Sequence, residues 1–277
     1  MKRKLLFGIA FLCFFFIWTP AIAAHELYIE VEEFTDQEEL RVDVLWGHIR
    51  DYVSEAEIED YQLHVRYPSG DTEQLPLEAV GVHARAYVPI IEEGDYTFWA
   101  TREASTYTPE EEDITQLSLQ TAKTIYQTGD NNTNADQAID ADFEIIPTSD
   151  ISDFTTGTFE GVVYLDGEPS ANASITAYGP NHEVLEGLTN EEGHFEFTFD
   201  SAGKWLLKSD LTLEEDGTLG EEAYEVTSHT STLLVDTSIE QTENETNLIA
   251  MFAMLVVGLL FGASVAMFIL KLKGKTS

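Results

Sequence analysis

The sequence predicts an all-β protein: two antiparallel β-sandwich domains, immunoglobulin-like or transthyretin-like, followed by one C-terminal transmembrane helix. Three observations carry that expectation. Leu40-Val42-Val44-Trp46, Tyr61-Leu63-Val65-Tyr67, Tyr96-Phe98, Val162-Tyr164 and Phe195-Phe197-Phe199 alternate with polar residues, the period of strands with one buried face. Turn formers stand between these runs, at Pro68-Ser69-Gly70, Glu93-Gly94-Asp95, Asp166-Gly167 and Glu192-Gly193, as sandwiches require. The charge-free apolar run Leu248 to Leu270 is long enough, at about 1.5 Å per residue, to cross a bilayer as a helix.

The first element, residues 1–24, reads as a secretory signal. MKRK precedes the apolar run LLFGIAFLCFFFIW, and Pro20 and the small residues AIAA complete the pattern. Cleavage after Ala23 or Ala24 would leave His25 second or first in the mature chain. The only cysteine, Cys13, lies in the apolar run, so the mature protein carries no disulfide or thiolate chemistry. Residues 25–147 form the first predicted sandwich, with an acidic, loosely patterned stretch between Ser105 and Ala141 and one strand around Thr121 to Tyr126. Residues 148–235 form the second. The polar stalk 236–247 leads to the span 248–270, where Gly258, Gly262 and Ala266 recur at four-residue spacing and invite close approach of another helix. Three lysines in the tail 271–277 place the C-terminus in the cytoplasm and the body outside it.

Of 14 lysines and arginines, six lie in the leader and tail, so eight remain against 51 acidic residues and the exported body carries about −43. That surface excludes nucleic acid as a partner. It suits a saline or alkaline habitat, or it gathers cations near a specific site. The run Asp130 to Asn134 spaces oxygens like the start of a calcium loop, but Ala135 replaces the needed glycine and Ala141 the bidentate acid. Enzymatic signatures are missing: there is no Gly-x-Ser-x-Gly elbow, no His-Glu-x-x-His and no phosphate-binding glycine loop. A copper oxygenase matches the histidines best among enzymes, yet it needs an untethered body, and the expected anchor argues against it.

Two histidines are placed by strand geometry. If HELYIEV and VDVLWGH form a hairpin around the turn Phe34 to Glu39, the symmetric register pairs Val31 with Val42, Ile29 with Val44, Leu27 with Trp46 and His25 with His48. A one-residue slip would turn one strand inside out, so the apolar pattern fixes the register. Both imidazoles then face each other at the open end of the sandwich, with Cβ atoms about 5 Å apart, a spacing that suits one shared metal ion or a polar cap on the core. The α-amine would add a third nitrogen, and nickel, cobalt and copper favour such donors. His229 shares parity with Leu233 and Val235 and is a reserve ligand; His64, His83, His182 and His194 alternate out of phase with the core or sit in turns and should be solvated.

A resemblance covers most of Ala24 to Val235. The motifs EIIP, DGEPSANASITAY, TNEEGHFEF, AGKWLL and HTSTLLV, with AHELYIE and the Gly47-His48 pair in the first half, resemble an exported family of unknown-function domains, some of whose members serve nickel and cobalt uptake. The second half is also similar to transthyretin-like and carboxypeptidase-regulatory-like modules. The resemblance implies two β-sandwiches, a nickel or cobalt ion at the opening histidine and the glycine-histidine pair, and a membrane permease or transporter subunit as partner through the helix. The expectation is therefore a non-enzymatic, single-pass metal-binding accessory protein of the cell membrane with His25, His48 and His229 as candidate ligands. The alternative is a cell-surface structural or adhesive spacer without specific metal binding.

Overall fold

The computed structural model describes residues 25–49, 52–54, 57–109, 113–129, 134–152 and 154–238. The leader, most of the stalk, the apolar run Leu248 to Leu270 and the tail lie outside them. Among the described residues no helix is long and apolar enough to cross a membrane.

The described chain is all-β. In the first half the strands are β1 (Glu26–Phe34), β2 (Glu39–His48), β3 (Tyr52–Val53), β4 (Tyr61–Arg66), β5 (Thr72–Leu75), β6 (Glu78–Val80), β7 (His83–Pro89), β8 (Gly94–Tyr107) and β9 (Gln116–Thr128). In the second half they are β10 (Phe143–Pro147), β11 (Gly157–Leu165), β12 (Glu168–Pro169), β13 (Ser174–Tyr178), β14 (Val184–Leu188), β15 (His194–Phe199), β16 (Lys204–Leu213), β17 (Gly217–Leu219), β18 (Glu222–Tyr224) and β19 (Val226–Asp236).

Two small sheets flank one long one. The order β1-β2-β7-β6, with β3 on β2, makes the first; β10-β11-β12, with β15 on β11, makes the second. Between them runs an eight-stranded sheet, β14-β13-β16-β19-β9-β8-β4-β5. The sequence leads one to expect two separate sandwiches; in the structure they share this sheet, because β9 of the first half pairs in parallel with β19 of the second, from Val226↔Gln116 to Leu234↔Thr124.

Alternation decides which face each residue serves. In β9 Ala122 joins the first core with Leu27, Val44, Leu63 and Phe98, whereas Ile125 packs against the second. In β19 Leu233 and Val235 join the second core with Phe143, Phe159 and Trp205, whereas Leu234 meets Tyr28, Leu45 and Leu206. The small sheets therefore lie on opposite faces of the long one. Strand β10, which precedes the boundary suggested by the sequence, packs in the second core through Phe143 and Ile145.

Edge strand β1 is stitched to the second half. Thr232 Oγ1 donates to the Leu27 carbonyl at 2.5 Å, and Lys204 and Lys208 of β16 reach Glu30 and Glu26 at 3.2 and 4.0 Å. A bare edge would offer unpaired amides to other chains; here side chains from β16 and β19 cover it.

Candidate metal centre

The β1–β2 hairpin has the register that its apolar residues dictate: Val31↔Val42, Ile29↔Val44 and Leu27↔Trp46. A single 3-10 turn, Thr35–Gln37, reverses the chain, and Glu38 adopts the left-handed conformation that closes it. His25 enters β1 as His48 leaves β2, and their rings face each other with centroids 5.0 Å apart and planes 26° apart.

The surroundings fix both rings. His25 lies along Trp46, 5.6 Å between centroids and 13° between planes, and its Nε2 is 2.7 Å from Ser54 Oγ. His48 Nδ1 is 3.3 Å from Glu26 Oε2. When that Nδ1–H donates to the carboxylate, the Nε2 lone pair becomes the coordinating one, the arrangement that orients metal-binding histidines. Arg102 covers the other side of the group, 4.5 Å over the Trp46 ring, and pairs with Asp60 at 3.5 Å.

Burial pulls the His25 pKa below its ordinary value, and the neighbouring His48 and Arg102 push it further down. A neutral imidazole is what a metal ion needs and what a proton would otherwise occupy. Burial pushes the Glu26 carboxyl up, against the opposing pull of Lys208 and His48, so Glu26 serves as an orienting acceptor that Lys208 already partly neutralises.

His229 is elsewhere. It is buried in β19 between Leu211 of β16 and Leu119 of β9, with its ring 5.8 Å from Phe143. Burial lowers its pKa, partly offset by Asp142, Glu215 and Asp166. The structure thus brings together His25 and His48 and leaves His229 in the second core. Glu26, Ser54, Trp46 and Arg102 complete the group; only Trp46 has a sequence signal, its parity with Val42 and Val44. Among the described residues no group of three or more His, Cys, Asp and Glu side chains is arranged to hold a metal ion. The third nitrogen expected from sequence, the α-amine, lies outside the described residues. What the geometry offers is two imidazoles, one held by a carboxylate.

Among the remaining histidines, His83 Nδ1 is 3.9 Å from Asp43 and His194 Nε2 4.0 Å from Glu160. His64 departs from the solvated position expected of it: it stacks on Trp99 with centroids 5.2 Å apart, under the segment leading to Asp140.

The family model DUF4198, a domain of unknown function, matches residues 22–212. No curated protein matches the chain. Among solved structures, the chain is similar to the D0-D1 domain of intimin, at 13% identity over 76% of this chain and 97% of that one, with a TM-score of 0.22. It is also similar to a Ca2+-stabilized adhesin with which an Antarctic bacterium binds ice, at 11% identity over 76% of this chain and 48% of that one, TM-score 0.21. The BSP domain of a biofilm associated protein matches at 11% identity over 77% and 52% of the two chains, TM-score 0.18. At such scores these likenesses carry no argument about function.

Proposed function

The chain belongs to the DUF4198 family, a domain of unknown function, and for this member we propose a membrane-anchored accessory role outside the cytoplasm, binding nickel or cobalt through His25 and His48. One observation carries the reading: the two imidazole rings stand 5.0 Å apart at the open end of the first sandwich, a separation compatible with two nitrogen ligands on one ion. Glu26 on His48 Nδ1 supports it, as does the lowered pKa of His25. Bound there, nickel, cobalt or copper would take its remaining ligands from the processed N-terminus, carboxylate or water. The apolar run Leu248 to Leu270 would tether the body beside a permease or transporter subunit.

Titration calorimetry on the protein as purified from its producing cells tests the reading. One equivalent of nickel, cobalt or copper should bind, and His25→Ala and His48→Ala should each weaken it, while His229→Leu should not. An extra residue before the mature N-terminus should weaken binding by moving the amine. Equal, weak uptake by all variants, abolished at moderate salt, would refute a specific site and leave a surface that collects cations.

A second reading, a cell-surface spacer, draws on the eight-stranded sheet that the two sandwiches share. Metal content separates the two.

A further inference from the structure

Strand β14 ends the long sheet on the side of the second half. Its bonds to β13 follow the antiparallel pattern, in which every second residue directs its backbone polar groups to the neighbouring strand. The Gly179 N–H donates to the Glu183 carbonyl and the Thr189 N–H to the Ala173 carbonyl, at 3.0 Å each. Between these two bonds the same register pairs Ala177 with Leu185 and Ile175 with Gly187. The alternate residues, Val184, Glu186 and Leu188, therefore turn both N–H and C=O away from β13, along the outer edge of the sheet. Their side chains share one face, where Val184 and Leu188 are 46% and 65% exposed.

Such an edge is a ready template for another strand, and proteins guard most of theirs. Side chains of β16 and β19 cover β1. Strand β6 has three residues and β12 two, one of them Pro169, and the exposed side chains of β15 are Glu196 and Thr198. Strand β14 has no proline, lysine or shift of register, and its one charged residue is Glu186. On the row Glu186↔Thr176↔Lys208 the lysine is held by Glu26 and Asp210 at 4.0 and 3.4 Å, and Glu186 has no ion pair among the described residues. The acidity extends around it. No lysine or arginine stands between Lys123 and Lys204, so none lies on any strand from β10 to β15.

We propose that the edge of β14 receives an extended, basic segment of another protein, which adds to the sheet as an antiparallel strand with an apolar residue on each side of a lysine or arginine. The backbone supplies the attachment. The outward N–H and C=O groups of Val184, Glu186 and Leu188 pair with their counterparts on the incoming strand, the mode by which many sheets capture extended peptides. The side chains supply the choice. A register centred on Glu186 sets apolar residues against Val184 and Leu188 and the base against the carboxylate, cross-strand pairs that each favour association. A second copy of this chain fits less well. Two β14 strands related by a two-fold axis at Glu186 would match Val184 with Leu188 but set the two Glu186 carboxylates directly opposite, between chains that each carry a formal −37. The edge lies in the second half and uses neither His25 nor His48, so it stands whether or not the metal reading does.

The test uses the protein as purified from its producing cells, with calorimetry for affinity and photoreactive peptides, cross-linked and mapped by mass spectrometry, for location. The probes are the capped peptide TVTKTVT, the same peptide with glutamate at its centre, and the lysine peptide N-methylated at the valines and the lysine, whose amides would face β14. The lysine peptide should bind saturably and cross-link to β14. N-methylation removes the bonding amides and should weaken binding about tenfold or more, and the glutamate peptide should bind severalfold more weakly than the lysine one. Glu186→Lys should reverse that preference and Leu188→Asp should weaken the lysine peptide, both with the thermal midpoint retained, because these positions are exposed. Three results would overturn the proposal: no binding of the lysine peptide; binding that N-methylation leaves intact and moderate salt abolishes, which is cation collection by the acidic surface; or cross-links outside β14. An unchanged preference in Glu186→Lys would do the same, as would a dimer in sedimentation that Leu188→Asp dissociates, since a second copy would then occupy the edge.

Discussion

Lys123 is the side chain whose loss the fold should feel most. It points from β9 away from the first core and is fully excluded from solvent, with Nζ 3.0 Å from Glu144 Oε2 of β10 and 3.4 Å from the Gln137 carbonyl. Burial pulls its pKa below the ordinary value, with Glu144 pulling back. Replacing one member of a buried pair leaves the other charge stranded, a loss of about 3–5 kcal/mol. Glu144 would keep the Ile139 N–H at 3.1 Å, worth roughly 1.5–3 kcal/mol as a bond to a charged group, so Lys123→Met should fall at the low end, about 3 kcal/mol. For a body of this size that lowers Tm by roughly 6–12 °C. Lys123→Met with Glu144→Leu removes both charges and fills the space with apolar groups, and should return to within about 1 kcal/mol of the parent. Urea and thermal unfolding at pH 7, read by tryptophan fluorescence, measure both. A single variant costing less than about 1 kcal/mol, or a double variant no better than the single, would refute the reasoning.

Three further outcomes are expected. His229 binds its proton less readily folded than unfolded, since burial depresses it from about 6.5. Below pH 6.5 the unfolded state therefore holds more protons and stability declines with acidification, so His229→Leu should flatten part of the fall between pH 7 and 5; an unchanged slope in denaturant titrations counts against this. Gly179→Ala would set a Cβ 2.4 Å from Trp205, a ring stacked on Phe199 at 3.9 Å. Overpacking there should cost about 1–3 kcal/mol and shift the Trp205 emission, and a neutral result would mean the ring relocates freely. N-terminal sequencing of the mature protein should begin at Ala24 or His25, and a start beyond His25 would remove the proposed donor.

Much of the candidate centre was legible because its information is local. Leu27, Ile29 and Val31 against Val42, Val44 and Trp46 admit one register that turns all six side chains toward the first core, and that register carries His25 to His48. The partners of the pair were less legible. Glu26 reads as a surface residue of an amphipathic strand, and its burial comes with neighbours that the strand alone does not name, His48 of β2 and Lys208 of β16. The junction of the two halves was hidden for a related reason: β19 is buried on both faces from His229 to Val235 and β9 from Thr121 to Thr124, which marks them as interior strands, but nothing within either names the other as its neighbour. The stretch before Asp142 reads as a solvated loop from its composition, yet Asn134, Ala135 and Ile139 are buried. Its ordering comes from the side chain of Asn134, which accepts from Thr97 of β8 and donates to the carbonyls of Asp95 in β8 and of Tyr67 just past β4, a tertiary effect.

The position of β19 sets how the body would bear tension. Its last residue, Asp236, leads into the stretch before the apolar run, so a pull from that end arrives along the strand axis. β19 is interior to the long sheet, hydrogen-bonded to β9 from Val226 to Leu234 and to β16 from Thr227 to Asp236. Such a pull loads both ladders in shear, and many bonds must fail together rather than peel one at a time. Because β9 belongs to the first half and β16 to the second, force entering at Asp236 is passed directly to a strand of each half.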